Sequence, residues 1–315
     1  MAKTNKKYQC KLFPYEIQEV ISMQEAKQLS GWNITAFDLP SAWNKTKGEG
    51  VKIAVIDSGV DVDHSDLKNN LLQGINLLNK KALPIDDCSH GTFVTGIICA
   101  ENNEIGMVGV APKANVIPIK TLNAKGLGNL NTTSEGIRWA CDNGADIICM
   151  SMGSPRPLQQ LRKSIQYASN KGIPIFVAAG NVGKTKEVFY PAAYPETIAI
   201  GSIDENFKRS KFSNTGKNLD FMAPGNDIFS TIPGWYGVMS GTSMAAPWAA
   251  GIAALLLSYK RNHKTNIKLD TIEDYRNILR SQTISTSDPA YAGSKFFEGF
   301  GIIDPRKFVE YIQTH

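Results

Sequence analysis

The sequence predicts a doubly wound, mainly parallel α/β sheet flanked by helices, and three observations carry that prediction. Short, mostly apolar runs at residues 51–56 and 173–179 have the composition of strands covered on both faces. Helix-length segments at 130–143 and 159–171 alternate with such runs through short connections. The chain has 315 residues, 42% of them hydrophobic, enough to bury one sizeable core. No internal repeat, low-complexity tract or linker interrupts the pattern after about residue 26. Residues 26–315 therefore read as a single domain behind an extension, residues 1–25.

Each element follows in order. The extension holds Leu12-Phe13-Pro14-Tyr15-Glu16-Ile17, an apolar patch interrupted by proline. Proline fixes φ and removes a donor, so this stretch is predicted to be extended and not helical. On composition alone, a disordered tail with a few apolar residues is an equal alternative. Residues 39–50 form a polar approach to the strand at 51–56, which ends in Asp57-Ser58-Gly59. A carboxylate at the C-terminal end of a parallel strand lies where α/β proteins bind ligands. An aspartate that only caps the next helix would look the same. Asp86-Asp87-Cys88-Ser89-His90-Gly91-Thr92 then opens an apolar, helix-length run ending at Cys99. A lone histidine at a helix start is more often structural than catalytic.

Beyond it, a strand is predicted at 116–122 and a helix at 130–143, with residues 131–134 offering N-caps. Strands follow at 145–150, at 173–179, which ends in Gly180-Asn181, and at 198–203. Residues 225–232 approach the turn Gly241-Thr242-Ser243-Met244-Ala245-Ala246-Pro247. The apolar run at 248–257 reads as a buried helix, too short to cross a bilayer. Residues 268–315 add terminal helices, with 299–303 a last strand or turn.

Composition narrows the class of function. The net charge of +5 is spread with both signs interleaved, which argues against a nucleic-acid partner. The basic start is followed by no apolar core of a signal peptide. Five cysteines show no Cys-x-x-Cys pair, and Cys99 and Cys149 sit in apolar runs as small core residues. A reducing, cytoplasmic setting fits, with the sequons at Asn33, Asn44 and Asn131 unused and no membrane partner. The sequence is compatible with a homo-oligomer and does not decide it.

Three groups stand at strand ends or helix starts: Asp57, His90 and Ser243. Serine is a poor nucleophile until a base takes its proton. Histidine is that base near neutral pH, and a buried carboxylate holds its tautomer and steadies the imidazolium. The residues around Ser243 are small enough for backbone and substrate to come close. The N-terminus of the following helix adds donors where negative charge develops. Asn181, after a strand, offers a side-chain amide to a tetrahedral oxyanion. The chain order Asp, His, Ser is one of the known orders of such triads. Taken alone, the Gly-Thr-Ser turn also reads as an ordinary cap on a core helix.

Asp57-Ser-Gly, His90-Gly-Thr, Ala179-Gly-Asn181 and Gly241-Thr-Ser243-Met-Ala-Ala-Pro247 resemble the four signatures of the subtilisin-like serine proteases, the subtilases. The similarity runs from about residue 43 to 257 and more loosely to 303. It implies that Asp57 orients, His90 is the acid and base, and Ser243 attacks. Asn181 and the Ser243 backbone N–H then bind the oxyanion. Trp248, where many relatives carry another residue, is a departure that bears on packing and not on chemistry.

The resemblance also implies a groove for protein or peptide substrates. Lys125, Gly126, Leu127 and Gly128 match the edge that pairs with an extended peptide, and Ser151, Met152 and Gly153 match the opposite wall. A plain loop is the alternative for the glycine segment. Leu130 and Met152 would make an apolar distal pocket. Phe189 falls at the base of the first pocket, where a bulky ring implies a small or medium residue before the cut bond. Structural Ca2+ is implied at Asp66, Asn103, the carbonyls of Glu101, Ile105 and Met107, and Gln28, with a plain polar turn as the alternative. Leu12-Phe13-Pro14-Tyr15 resembles the Leu-Ile-Pro-Tyr segment of intracellular subtilisins, which crosses the active site and inhibits. Cys88, close to His90, lines the groove.

Four readings of function follow. One is an intracellular, calcium-stabilised endopeptidase gated by its extension, and another a maturation protease that trims one partner or leader peptide. A nucleotide-binding or scaffold protein is a third, weakened because no Gly-x-Gly-x-x-Gly follows the first strand. An inactive peptide-binding relative is the fourth, and the four intact chemical positions argue against it.

Overall fold

A computed structural model describes residues 9–21, 28–157, 159–183 and 187–314. The extension contributes two strands, β1 (Gln9–Leu12) and β2 (Ile17–Ile21), on either side of Pro14. Two short helices follow, α1 (Trp32–Thr35) and α2 (Leu39–Trp43). The alternating body begins with β3 (Lys52–Asp57), β4 (Ile75–Asn76), α3 (His90–Cys99), β5 (Asn115–Lys120) and β6 (Leu127–Asn129). It continues through α4 (Leu130–Asp142), β7 (Ile147–Met150), β8 (Met152–Gly153), α5 (Gln159–Asn170), β9 (Ile175–Ala178) and β10 (Ile198–Ile203). Then come β11 (Phe221–Pro224), the hairpin β12 (Ile228–Ile232) and β13 (Trp235–Met239), and α6 (Thr242–Asn262). The chain closes with α7 (Ile272–Ser281), β14 (Thr283–Ile284), α8 (Lys295–Glu298), β15 (Ile302–Ile303) and α9 (Pro305–Thr314).

Nine strands form the main sheet in the order β14-β15-β11-β10-β9-β7-β3-β5-β4. All its pairings are parallel except β14 with β15. The chain passes from β3 to β5 on one side, then to β7, β9, β10 and β11 on the other. The C-terminal end of β3 is thus the point where the winding reverses, and there a doubly wound sheet opens a crevice. Asp57 is the last residue of that strand. Every residue of β9 and β10 is buried, as strands covered on both faces must be. Helices α3 and α6 pack on each other and on the central strands, while α4 and α5 pair as another layer.

Helix α6 is the centre of the core, buried from Thr242 to Ser258. It starts six residues before the apolar run predicted at 248–257 and takes in Pro247. A proline inside a helix has no N–H for the carbonyl four residues back. Here that carbonyl belongs to Ser243, and the Ser151 hydroxyl donates to it at 2.9 Å. The helix is therefore 21 residues long, which passes the length test for a bilayer span, yet it lies inside the protein. Trp248 is fully buried, donates its indole N–H to the Asn33 carbonyl at 2.9 Å and packs 4.9 Å from the Phe37 ring. The Asn33 side chain is buried too, which closes the first sequon to a glycan.

Two small antiparallel sheets flank the crevice, β6-β1-β8 and β12-β13-β2. Both contain a strand of the extension. The segment around Pro14 is extended, as proline requires, but its strands are paired and do not form a loose tail. The β12–β13 hairpin is an addition to the predicted elements, since residues 225–232 read only as an approach to the serine turn.

Candidate active site

Asp57 and His90 come from β3 and from the first position of α3. Close approach of the two elements depends on Gly91, where a Cβ would stand 2.1 Å from the Gly59 carbonyl oxygen. Ser89 turns the chain into the helix from the left-handed region, at φ 69°. The imidazole Nδ1 lies 2.9 and 3.0 Å from the two Asp57 carboxylate oxygens, and both side chains are buried. The Ser58 N–H donates to Asp57 Oδ1 at 2.7 Å. With Nδ1–H donating to a carboxylate, Nε2 carries the free lone pair. Among the described residues that buried nitrogen has no hydrogen-bond partner.

Asp86 ties the two elements together. Its buried carboxylate accepts from the Ser58 hydroxyl at 2.8 Å, the Cys88 N–H at 2.9 Å, and the Thr92 N–H and hydroxyl at 2.8 and 2.6 Å. Sequence reasoning passed over it, although a carboxylate just ahead of a helix start is a usual helix-capping signal.

Ser243 is the second residue of α6. Its hydroxyl donates to the Ser151 carbonyl at 3.3 Å, while the Ser151 hydroxyl serves the Ser243 carbonyl. Asn181 is held by its oxygen, which accepts from the Thr242 N–H at 2.9 Å and the Thr242 hydroxyl at 2.8 Å. Its amide nitrogen therefore points into the groove, where it donates to the Pro14 carbonyl at 3.2 Å.

The groove holds the protein's own extension. Strand β1 lies antiparallel between β6 and β8, with Cys10 opposite Gly128, Lys11 opposite Leu127 and Gly153, and Leu12 opposite Met152. The Leu12 N–H adds a bond to the Gly126 carbonyl at 3.0 Å. Leu130 and Met152 are both buried. Lys125 and Gly126 line an open cleft with Leu12, Pro14 and Cys88. Phe13 is only 3% exposed; a Cβ on Gly153 would stand 2.8 Å from its ring, and the Phe189 ring centre is 6.0 Å away. Phe189 thus leaves room beside it for a whole phenylalanine, which it meets as a tilted aromatic neighbour.

Tyr15 follows. Its ring centre is 5.0 Å from that of His90, and its hydroxyl donates to the Cys88 carbonyl at 2.8 Å and lies 3.2 Å from the Cys88 sulfur. Burial, helped by the Cys88 contact, pushes the Tyr15 hydroxyl well above its ordinary range, so it remains a donor. Burial also raises the Cys88 thiol, which keeps it in the poorly nucleophilic protonated form.

The predicted cation residues also come together. Asp66 is buried; one oxygen accepts from the Asn103 amide at 2.9 Å, the other from the Met107 N–H at 3.0 Å and the Tyr236 hydroxyl at 2.8 Å. The Glu101 and Met107 carbonyls converge on one donor, the Gln28 amide nitrogen, at 2.8 and 3.3 Å. The Ile105 N–H bonds Asn103 Oδ1 at 3.2 Å and shapes the turn. Glu101 Oε1 is buried with no hydrogen-bond partner among the described residues. Those residues hold no cluster of three His, Cys, Asp or Glu able to bind a metal. The set is one carboxylate with amides and carbonyls, the donors a hard cation prefers.

Residues 48–301 match the family described as "Subtilase family". Subtilisin E of Bacillus subtilis (strain 168) is 42% identical over 262 residues, which cover 82% of this chain and 65% of that protein, a little under two thirds of its length. The subtilisin of Bacillus pumilus is 42% identical over 262 residues, 82% of this chain and 90% of that one. The "Major intracellular serine protease" of Bacillus subtilis (strain 168) is 37% identical over 282 residues, 86% and 87% of the two chains. A family match over most of the sequence, joined to a parallel sheet wound about the end of β3, establishes that this chain belongs to the subtilase family.

Proposed function

We propose that this protein is a cytoplasmic serine endopeptidase, stabilised by calcium and held in check by its own N-terminal extension. The observation that carries the proteolytic reading is the buried Asp57–His90 pair with Nε2 left open at the rim shared with Asn181. Pro14 and Tyr15, adjacent in sequence, touch Asn181 and His90 in turn, so both residues face one short stretch of bound chain.

The chemistry follows from those positions. A substrate strand takes the place of β1 between β6 and β8. The Ser243 hydroxyl turns from the Ser151 carbonyl to His90 Nε2, gives up its proton and attacks the carbonyl carbon. The oxyanion that forms is met by the Asn181 amide and the Ser243 N–H. His90 returns the proton to the departing amine, and water releases the acyl group by the same route. Asp57 holds the imidazole and stabilises its charged form.

The extension supports a gating role through a mismatch of one residue. In a substrate, the residue in the first pocket also offers the carbonyl that is attacked. Here Phe13 fills the pocket while the Pro14 carbonyl takes the Asn181 amide. The site is occupied, but side chain and carbonyl belong to different residues.

For calcium, Asp66, Asn103, the Gln28 side-chain oxygen and the carbonyls of Glu101, Ile105 and Met107 would hold the ion. Its chemistry there is structural: it neutralises converging oxygens and fixes the loop. The cytoplasmic reading is supported by five free cysteines and by a relative whose name includes "intracellular".

The deciding experiment maps cleavage sites in a mixed peptide library by mass spectrometry, for the native chain and for Ser243→Ala. Cleavage by the first and none by the second is expected, and equal cleavage by both would remove Ser243 from the chemistry. A serine-reactive phosphonate should label only the native chain.

A further inference from the structure

We infer that the outer edge of β13 is a docking strand for the part of a protein substrate that lies beyond the cut bond. The inference rests on the proteolytic reading and extends it to substrate class: extended, unfolded polypeptide is favoured over short peptide. The extension traces one continuous path. It fills the groove as β1, passes Asn181 and His90 as Pro14 and Tyr15, and then pairs with β13 as β2. A chain that enters by the first part of that path is directed along the second. Counting Tyr15 as the first residue past the carbonyl on Asn181, strand β2 spans the third to the seventh.

The pairing is antiparallel, with Ile17 opposite Met239, Glu19 opposite Val238, Val20 opposite Gly237 and Ile21 opposite Tyr236. The other edge of β13 is taken by β12, so departure of β2 leaves a row of unpaired main-chain groups. Such an edge is a template for an incoming strand. Gln18, Glu19 and Val20 are exposed even while paired, and Ile17 is half-buried. The edge therefore recognises main chain and takes little account of side chains, as an enzyme for unfolded protein requires.

Gly237 makes the close approach possible. A Cβ there would stand 2.9 Å from the Glu19 carbonyl oxygen and 3.3 Å from the Ile17 side chain, both on the docked strand. Its nearest contact within the hairpin, the Ile232 side chain, would be an ordinary 3.6 Å away. The glycine also lies outside the left-handed region. A side chain at 237 thus obstructs the incoming strand and not the hairpin that carries it, which assigns Gly237 as a specificity-determining residue.

The test uses the full chain carrying Leu12→Pro and Glu19→Pro, which break the β1 and β2 ladders and free both groove and edge, alone and combined with Gly237→Val. A short peptide ends two residues past the cut, a long one continues for six more, and a third is the long one N-methylated where it faces β13. The expected kcat/KM ratio of long to short is about tenfold in the doubly substituted chain, the size of a few main-chain hydrogen bonds. N-methylation and Gly237→Val should each return it to about one. Equal rates for long and short, or a gain that survives either change, would overturn the inference. Because the ratio is taken within one protein, loss of folded enzyme cancels. Failure of the proteolytic reading looks different: neither peptide is cut.

Discussion

Among the buried polar atoms that lack a hydrogen-bond partner in the described residues, two lie at places of contrasting make-up, His90 Nε2 at the rim of the groove and Glu101 Oε1 in the loop beside Asp66. Around the first, everything else is fixed: Nδ1 on Asp57, Asp57 on the Ser58 N–H, Asn181 on Thr242. In the loop of the second, the Gln28 amide nitrogen serves the Glu101 and Met107 carbonyls together. On the proposed function, the bare nitrogen in its rigid frame is the base that takes a proton, and the loop with its carbonyls and the Asp66 carboxylate is where a cation would be held. The contrast teaches that the neighbours of an unsatisfied buried group decide which kind of ligand it could take.

The sharpest way to break this contrast is at the rim. His90→Ala and Ser243→Ala should each lower kcat by about 10⁶-fold, a magnitude known for subtilisin and carried over from it. Peptide hydrolysis at saturating substrate measures it, and a loss of less than about tenfold would refute the triad. Asn181→Ala should cost on the order of 10²–10³ in kcat with KM little changed, again the size known for subtilisin.

The loop should respond in stability and not in chemistry. Chelation is expected to leave the initial rate intact and to lower Tm by roughly 5–10 °C, the effect of losing about 3 kcal/mol of ligand binding in a domain of this size. Asp66→Ala should abolish the calcium dependence of Tm. If calcium leaves the native Tm unchanged, the two regions are not distinguished as argued.

The smallest effect is expected at Tyr15. Tyr15→Phe removes one hydrogen bond to Cys88, worth about 1 kcal/mol, and should raise the basal activity of the full chain by about fivefold or less. The Tyr15 hydroxyl titrates higher in the folded state than in the unfolded, so its contribution is complete below the ordinary phenol range. It fades only as pH rises through the raised folded value. The activity difference between the native chain and Tyr15→Phe should therefore hold constant from pH 6 to about 9.

Much of this was legible in the sequence because the determinants are local. Val55 and Ile56 leading into Asp57 give a strand end, and His90 opening an apolar run gives a helix start. The turn before Met244 places Ser243 at the head of a helix. The Leu12 segment was legible as extended because Pro14 leaves little choice. What eluded the sequence depends on partners far along the chain. Nothing near 247 tells that Ser151 will satisfy the carbonyl a proline leaves bare, so α6 runs further than its apolar core. Likewise β13 has no local sign that residues 17–21 will lie beside it. At Phe189 a ring's bulk is written in the sequence, and its tilt toward Phe13 is not.

The crossed pair of hydrogen bonds between Ser151 and Ser243 has a mechanical consequence. Ser151 runs directly into β8, the rail against which β1 lies, and Ser243 is the nucleophile of the proposed reaction. Rail and hydroxyl are thereby yoked. On that reading, a polypeptide that pressed into register along β8 would pull on the reactive hydroxyl, and correct seating would be felt at the point of attack before any bond is made.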